Sequence, residues 1–220
     1  MLRVARSGAV KARTQAANQV RDLLVTAPEP LRAELYQLST AKRVRRLVAQ
    51  QPAGGADPAS ATRRALWHLA RRHQALTVEL AALNTELAAL TRQAAPRLLG
   101  RPGVGIETAG QLLVTAGDSP DRLHSEAALA ALCGASPVEA SSGKTVRHRL
   151  NRGGDRQANN ALWVIALTRL RDDPRTRSYA ERRTKQGKTT KEIMRLLKRY
   201  LARELFPLLK ADLQAATAAG

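Results

Sequence analysis

Residues 66–90 read LWHLARRHQALTVELAALNTELAAL, and this stretch decides how the chain folds. Its large apolar residues recur at alternating spacings of three and four, a heptad pattern that keeps one stripe of a helix facing a partner helix. We call this stripe the seam; it consists of Leu66, Leu69, His73, Leu76, Leu80, Leu83, Leu87 and Leu90. The seam predicts a coiled coil over residues 59–96 and, through it, a homodimer or a higher oligomer.

The seam has one polar position and a clear end. We interpret His73 as a residue that sets helix register, because no second histidine or carboxylate is placed to complete a metal site. Pro96 ends the helical pattern, since proline cannot donate to the helix that precedes it.

Residues 1–58 predict a basic helical linker region. Apolar residues at helical spacing predict a helix over residues 2–26, which Ala27-Pro28-Glu29-Pro30 ends. A second helical stretch runs from Leu31 to Val48, and residues 51–58 are rich in proline and glycine and predict a linker.

Residues 97–220 predict a helical domain. We expect a short helix over 125–132, a loop or irregular hairpin over 136–154, and helices over 156–171, 174–186 and 190–209. No alternation of buried strands and helices appears, which excludes a ribonuclease-H-like fold in this chain. The fold class is therefore mostly α, with a helical linker, a long coiled-coil helix and a helical C-terminal domain.

The charge of the chain indicates a polyanionic partner. Its 220 residues include 37 Lys and Arg against 18 Asp and Glu, a formal net charge of +19. Residues 141–220 alone hold nineteen basic and seven acidic residues. No apolar run is long enough to span a membrane, and we expect no membrane partner and a cytoplasmic, nucleoid-associated protein of bacteria. Cys133 is the single cysteine, which excludes an intramolecular disulfide framework.

One glycine-containing segment is a candidate for phosphate binding. Pro102-Gly103-Val104-Gly105 opens a helix as in helix-hairpin-helix elements, where Gly103 and Gly105 would let the backbone approach a phosphate. An ordinary tight turn explains the same residues. Gly143-Lys144 and Gly187-Lys188 lack the glycine five positions earlier that a nucleotide-binding loop needs, which excludes an ATPase of that kind.

Ser141 and Ser142 lie in a loop that arginines follow. A serine beside a cationic cluster can attack phosphorus while the cations stabilise the charged oxygens, although a Ser-Ser-Gly loop is commonly only a turn. The residues that we predict to bind nucleic acid are Arg147, Arg149, Arg152, Arg156, Arg182, Arg183, Lys185, Lys188, Lys191, Arg195, Lys198 and Arg199, together with Gly103 and Gly105.

From Leu98 to about Leu209 the chain resembles the transposase domain of the insertion-sequence one-hundred-ten family, which includes the Piv-type DNA invertases. The resemblance rests on the order of several short elements, and residues 1–96 are similar to the family's linker and coiled-coil region. These elements are Pro-Gly-Val-Gly at 102–105, Ala-Gly-Asp at 116–118, AALAALCGASP at 127–137, Ser-Gly-Lys at 142–144, Arg-Gly-Gly-Asp at 152–155, Tyr-Ala-Glu-Arg at 179–182 and Lys-Gln-Gly-Lys at 185–188.

The resemblance implies a function in DNA transposition or site-specific recombination. By position the family's nucleophilic serine is Ser142, with Ser141 as the second candidate. Such proteins bind DNA, use a structured guide RNA, and carry a separate acidic domain that holds Mg²⁺. That domain has no counterpart here, so we expect a truncated transposase that binds no metal by itself and is catalytically incomplete alone. The alternative is a non-catalytic dimeric nucleic-acid-binding module or a regulator of a full-length transposase.

Overall fold

The computed structural model describes residues 1–117, 123–139, 141–143, 148, 149 and 151–218. The mostly α fold class is confirmed. The helices are α1 (Leu2–Val25), α2 (Glu29–Leu35), α3 (Thr40–Ala49), α4 (Pro58–Ala94), α5 (Pro96–Leu99), α6 (Ile106–Ala116), α7 (Glu126–Leu132), α8 (Arg156–Asp172), α9 (Pro174–Lys185) and α10 (Thr190–Ala218). Among the residues described between α7 and α8, two short strands occur, β1 (Val138–Glu139) and β2 (His148–Arg149).

The chain divides into two compact units, Met1–Leu87 and Ala88–Gly220. The division falls inside α4, so this helix contributes to both units. The predicted three-part division at residues 58 and 96 stays a prediction. Within the described ranges, no helix combines the length and the apolar character that crossing a membrane requires.

In the first unit, α1 and α4 pack against each other. The buried residues of α1 are Ala9, Ala16, Val20 and Leu24, and the last two belong to one apolar cluster with Leu66 of the seam. Arg6 Nε donates to Asn84 Oδ1 over 2.6 Å at the other end of this contact. The seam is thus partly covered by the chain's own first helix.

Burial along the seam is uneven. Leu66, Leu80 and Leu87 are buried, whereas Leu90 is 49% exposed. His73 is partly buried, and its pKa is lowered by burial and by the positive charge of Arg13 on α1. The predicted homodimer stays a prediction.

The stretch from Leu31 to Val48 forms two helices instead of the one that we predicted. The chain leaves helical geometry after α2 and re-enters it at Thr40, with Ser39 as the preceding residue at ψ 153°. Arg43 is buried and donates to the carbonyl oxygens of Leu35, Tyr36 and Leu38 at 2.7–3.1 Å. These bonds supply donors to carbonyls at and just after the end of α2, where the helix itself supplies few.

The core of the second unit lies among α5, α6, α7, α8 and α10. Its fully buried members include Leu98, Leu112, Leu129, Leu162 and Leu205. Asp212 of α10 is also buried and accepts hydrogen bonds from the backbone N–H groups of Arg97 and Leu98 at 3.2 and 3.1 Å. A residue more than a hundred positions away therefore caps the start of α5.

Candidate functional site

The candidate nucleophile lies on a short β-hairpin. β1 pairs with β2 in antiparallel register, Val138 opposite Arg149 and Glu139 opposite His148. Ser141, Ser142 and Gly143 are exposed and follow β1. We call β1, β2 and residues 141–143 the serine hairpin. The structure agrees with the loop or irregular hairpin expected over 136–154, and it places the Ser142 hydroxyl where a large substrate can reach it.

Glycines allow the two ends of the segment that carries the serine hairpin to approach each other closely. Gly134 and Gly154 both have positive φ, 61° and 84°. A Cβ on Gly154 would lie 2.6 Å from the backbone nitrogen of Gly134, and one on Gly134 would lie 2.6 Å from the carbonyl oxygen of Gly153. We call Gly134, Gly153 and Gly154 the glycine clasp. Only residues without a side chain allow the backbone after α7 to meet the backbone before α8 so closely.

Asp155 joins the glycine clasp to two helices. Its Oδ1 accepts from the N–H groups of Gln157 and Ala158 at 2.7 and 3.3 Å and so caps α8. Its Oδ2 accepts from Thr115 Oγ1 of α6 at 2.5 Å and from Gln111 Nε2 at 3.4 Å. Burial raises the pKa of this carboxyl, but these hydrogen bonds outweigh burial and leave the pKa below its ordinary value.

Asn159 of α8 also stabilises the backbone at the glycine clasp. Its Nδ2 donates to the carbonyl oxygens of Cys133 and Gly134 at 2.8 and 3.1 Å, and its Oδ1 accepts from Lys198 Nζ at 2.8 Å. Lys198 is only 6% exposed, and burial, followed by the charge of Arg195, lowers its pKa. The structure therefore places Lys198 in the interior as a support for the clasp, although we predicted it to contact nucleic acid.

Three of the four arginines predicted near the serines are described, and all three are exposed. Arg149 belongs to β2, Arg152 precedes the glycine clasp and Arg156 begins α8. Arg147 lies outside the described residues. The arginines lie close to the serine hairpin in sequence and present cationic groups to solvent, which suits the binding of phosphate.

The second set of predicted basic residues lies on α9, on α10 and between them. Arg182, Lys185, Lys188 and Lys191 are exposed, and Arg183 and Arg195 are partly exposed. Arg199 faces the start of α7 instead, where its Nη2 lies 3.3 Å from Glu126 Oε1. Some of these predicted basic residues therefore face solvent, whereas others bind side chains of this chain.

The turn at residues 102–105 has a packing role. Gly103 has φ 76°, and a Cβ there would lie 3.1 Å from the carbonyl oxygen of Ile165 on α8. Arg169 Nε donates to the Pro102 carbonyl oxygen at 2.8 Å and its guanidinium pairs with Glu204. Gly105 is exposed, and its N–H donates to Thr108 Oγ1 at 3.0 Å. Phosphate binding by Gly103 and Gly105 stays a prediction.

The described residues contain no group of three or more His, Cys, Asp or Glu that could hold a metal ion. The described side chains therefore do not fit a Mg²⁺ site. That this chain binds no metal by itself stays a prediction.

Comparison with known proteins shows what the part of the chain around the candidate site is similar to. Residues 95–181 match the model of the transposase family IS116/IS110/IS902. We call residues 95–181 the transposase segment because of this similarity. The transposase segment contains α5 to α8, most of α9, the serine hairpin and the glycine clasp, so the match covers the candidate site.

Two curated proteins of insertion elements are also similar to this chain. An insertion element IS110 protein of Streptomyces coelicolor is 36% identical over 116 residues, which are 52% of this chain and 28% of that protein. An insertion element IS900 protein of Mycobacterium paratuberculosis is 30% identical over 106 residues, 47% of this chain and 27% of the relative. The chain thus matches less than a third of the length of either relative.

Sequence reasoning missed the residues that support the hairpin. Asn159 and Thr115 contribute no charge and belong to no recognised motif, although both bind groups at its base. One signal was available for Asn159, because Asn159-Asn160 in the first turns of a helix is unfavourable for helix formation. Such a pair indicates that an asparagine side chain has a partner elsewhere.

Proposed function

We propose that this chain takes part in DNA transposition or site-specific recombination, as a nucleic-acid-binding polypeptide that carries the serine nucleophile. The observation that carries this proposal is the exposure of Ser142 on a clasped hairpin inside a transposase segment. Exposed arginines follow it in the sequence, and the chain as a whole is strongly basic. We propose duplex DNA as the substrate and a structured guide RNA as a further partner.

The proposed chemistry is the transfer of a phosphoryl group from DNA to serine. The Ser142 Oγ would form a bond to phosphorus while one bridging P–O bond breaks, and the departing oxygen would take a proton. Arg149, Arg152 and Arg156 would stabilise the charge on the non-bridging oxygens. The DNA end would then be held as a phosphoserine ester.

A serine hydroxyl needs help to act as a nucleophile at neutral pH. A base or a metal ion lowers the cost of removing its proton. As the resemblance to the transposase family implies, we propose that a separate acidic domain supplies Mg²⁺, and that residues 1–220 alone do not cut DNA.

Duplex DNA binding is tested by fluorescence anisotropy across a range of salt concentrations. Binding through phosphates releases counterions, so affinity should fall steeply as salt rises. The double variant Arg152→Gln/Arg156→Gln should bind more weakly, with a salt slope reduced by about two if each arginine contacts one phosphate.

The matched control is Lys42→Gln/Arg45→Gln, which removes the same charge from exposed positions of α3. It should leave the salt slope near that of the unmodified protein. Binding that is equally tight at low and high salt contradicts duplex binding through phosphates. Equal effects of the two double variants contradict the assignment of the arginines.

The serine assignment is tested by covalent trapping. An acidic transposase domain is added in trans with Mg²⁺ and nicked DNA, and DNA–protein adducts are sought by denaturing electrophoresis. Ser142→Ala should abolish the adduct, whereas Ser141→Ala should retain it. Loss only in Ser141→Ala assigns the reaction to the neighbouring serine. No adduct with a partner domain of proven activity favours the non-catalytic binding module.

A further inference from the structure

Two tyrosines meet on the surface formed by α9 and α10. The ring centroids of Tyr179 and Tyr200 are 5.5 Å apart, with their planes at 81°. Tyr179 is partly buried against the core of the second unit, whereas Tyr200 is 48% exposed. One ring is therefore anchored by packing, and it supports a second ring that remains open to solvent.

Two arginines lie against this tyrosine pair. The guanidinium carbons of Arg182 and Arg183 are 5.6 and 5.2 Å from the centroid of Tyr179. Arg183 Nε also lies 3.2 Å from the Tyr179 hydroxyl, and its Nη1 donates to Gln186 Oε1 at 2.9 Å. Hydrogen bonds and cation–π contact thus hold positive charge beside the rings. We call Tyr179, Arg182, Arg183 and Tyr200 the tyrosine platform.

The surroundings of the tyrosine platform are strongly basic. α9 carries five Lys and Arg residues and a single acidic residue, Glu181. Lys188 and Lys191 extend the charge onto the start of α10 and are exposed. An exposed aromatic ring within a cationic surface suits a ligand that joins a flat π-system to an anion, which describes a nucleotide.

We propose that the tyrosine platform binds an unpaired nucleotide, with the base stacked on Tyr200 and a neighbouring phosphate on Arg182. The inference rests on the proposed function in that the chain binds nucleic acid, but it adds a site for single strands. Bases inside a duplex are already stacked and cannot reach Tyr200, so the platform distinguishes unpaired from paired nucleic acid.

The test uses an oligodeoxynucleotide of about twelve residues with a central 2-aminopurine, whose fluorescence reports stacking. The same sequence as RNA and the same sequence as duplex DNA form two further arms. Tyr200→Leu should weaken single-strand binding by about tenfold and remove the fluorescence change. Its affinity for duplex DNA should stay within about twofold, because the lost interaction needs an unstacked base.

Three variants complete the design. Tyr200→Phe keeps the aromatic face and should retain binding and fluorescence change. Tyr36→Leu makes the same substitution at a tyrosine that is 46% exposed in the first unit, and it should change neither. Arg182→Gln leaves both rings in place and should reduce the salt slope of single-strand binding by about one. Circular dichroism checks that each variant is folded.

The outcomes separate the inference from the proposed function. Unchanged single-strand affinity in Tyr200→Leu overturns the inference, as does an equal loss for single strands and duplex. If the unmodified protein fails to bind duplex DNA yet binds single strands through Tyr200, duplex binding is wrong and the platform stands. Comparison of the DNA and RNA arms shows which strand the platform prefers.

Discussion

At the scale of single residues, Gly154 is the glycine near the serine hairpin where an added side chain would clash most severely with the backbone. Gly154→Ala would place a Cβ 2.6 Å from the Leu132 carbonyl oxygen at φ 84°, so we expect a loss of unfolding free energy of at least about 3 kcal/mol. Gly187→Ala has a similar φ of 78° with open space around the Cβ, and should lose only about 1 kcal/mol. Urea unfolding followed by circular dichroism measures both. Equal losses would show that the close backbone contact is absent.

Asp155 should make the free energy of unfolding depend on pH. Its pKa in the folded protein lies below the ordinary 3.8, so the stability that it contributes is complete above that value and is lost as pH falls through the folded pKa. Asp155→Asn should therefore cost about 1 kcal/mol near neutral pH, and the difference from the unmodified protein should shrink below about pH 3.8. Urea titrations over this pH range measure the difference. A constant difference would contradict the role of the charge.

The sequence shows which residues after the serines are basic, but not which of them face solvent. Arg152 and Lys198 look alike as basic residues of a basic region, yet Arg152 is exposed and Lys198 is buried beside Asn159. The difference arises from contacts between α8 and α10, which are distant in the sequence. Local charge patterns carry no information about such contacts.

At the scale of elements, Asp212 links the last helix to the shortest one. Its two oxygens accept from the first N–H groups of α5, so Asp212→Ala should leave these donors buried and cost about 3 kcal/mol. Asp22→Ala is the matched control, because its carboxylate is 68% exposed and pairs with Arg21 at 3.6 Å. It should change the free energy of unfolding by no more than about 0.5 kcal/mol. Thermal or urea unfolding of both variants distinguishes the two cases.

Helix periodicity was a good guide to the elements where apolar spacing was regular. The long α4, its end before Pro96 and the start of α8 at Arg156 all follow from such patterns. The break between α2 and α3 did not, because Arg43 reaches back to carbonyls five to eight residues earlier. α10 also continues through Pro207 to Ala218, beyond the predicted end at Leu209, with Leu209 and Asp212 buried.

At the scale of the whole molecule, the oligomeric state is the main open prediction. Light scattering after size exclusion should give twice the chain mass of 23.9 kDa if residues 59–96 form a dimer. Leu90→Lys changes an exposed seam position and should shift the protein towards monomer. Val78→Lys changes a more exposed position on the same helix but off the seam, and should leave the dimer intact. A monomer at every concentration would show that the seam needs no second chain to cover its apolar side chains.

The close approach of Gly134 and Gly154 also restricts which mutations this protein can accept in evolution. The polypeptide leaves the helical body and returns to it at almost one point, so the segment between them is tethered at a single junction. Insertions or deletions within that segment need not displace α7 or α8, whereas a side chain at either junction glycine would. Related proteins are therefore expected to vary in the length of the segment between these glycines, while keeping a small residue at each end of it.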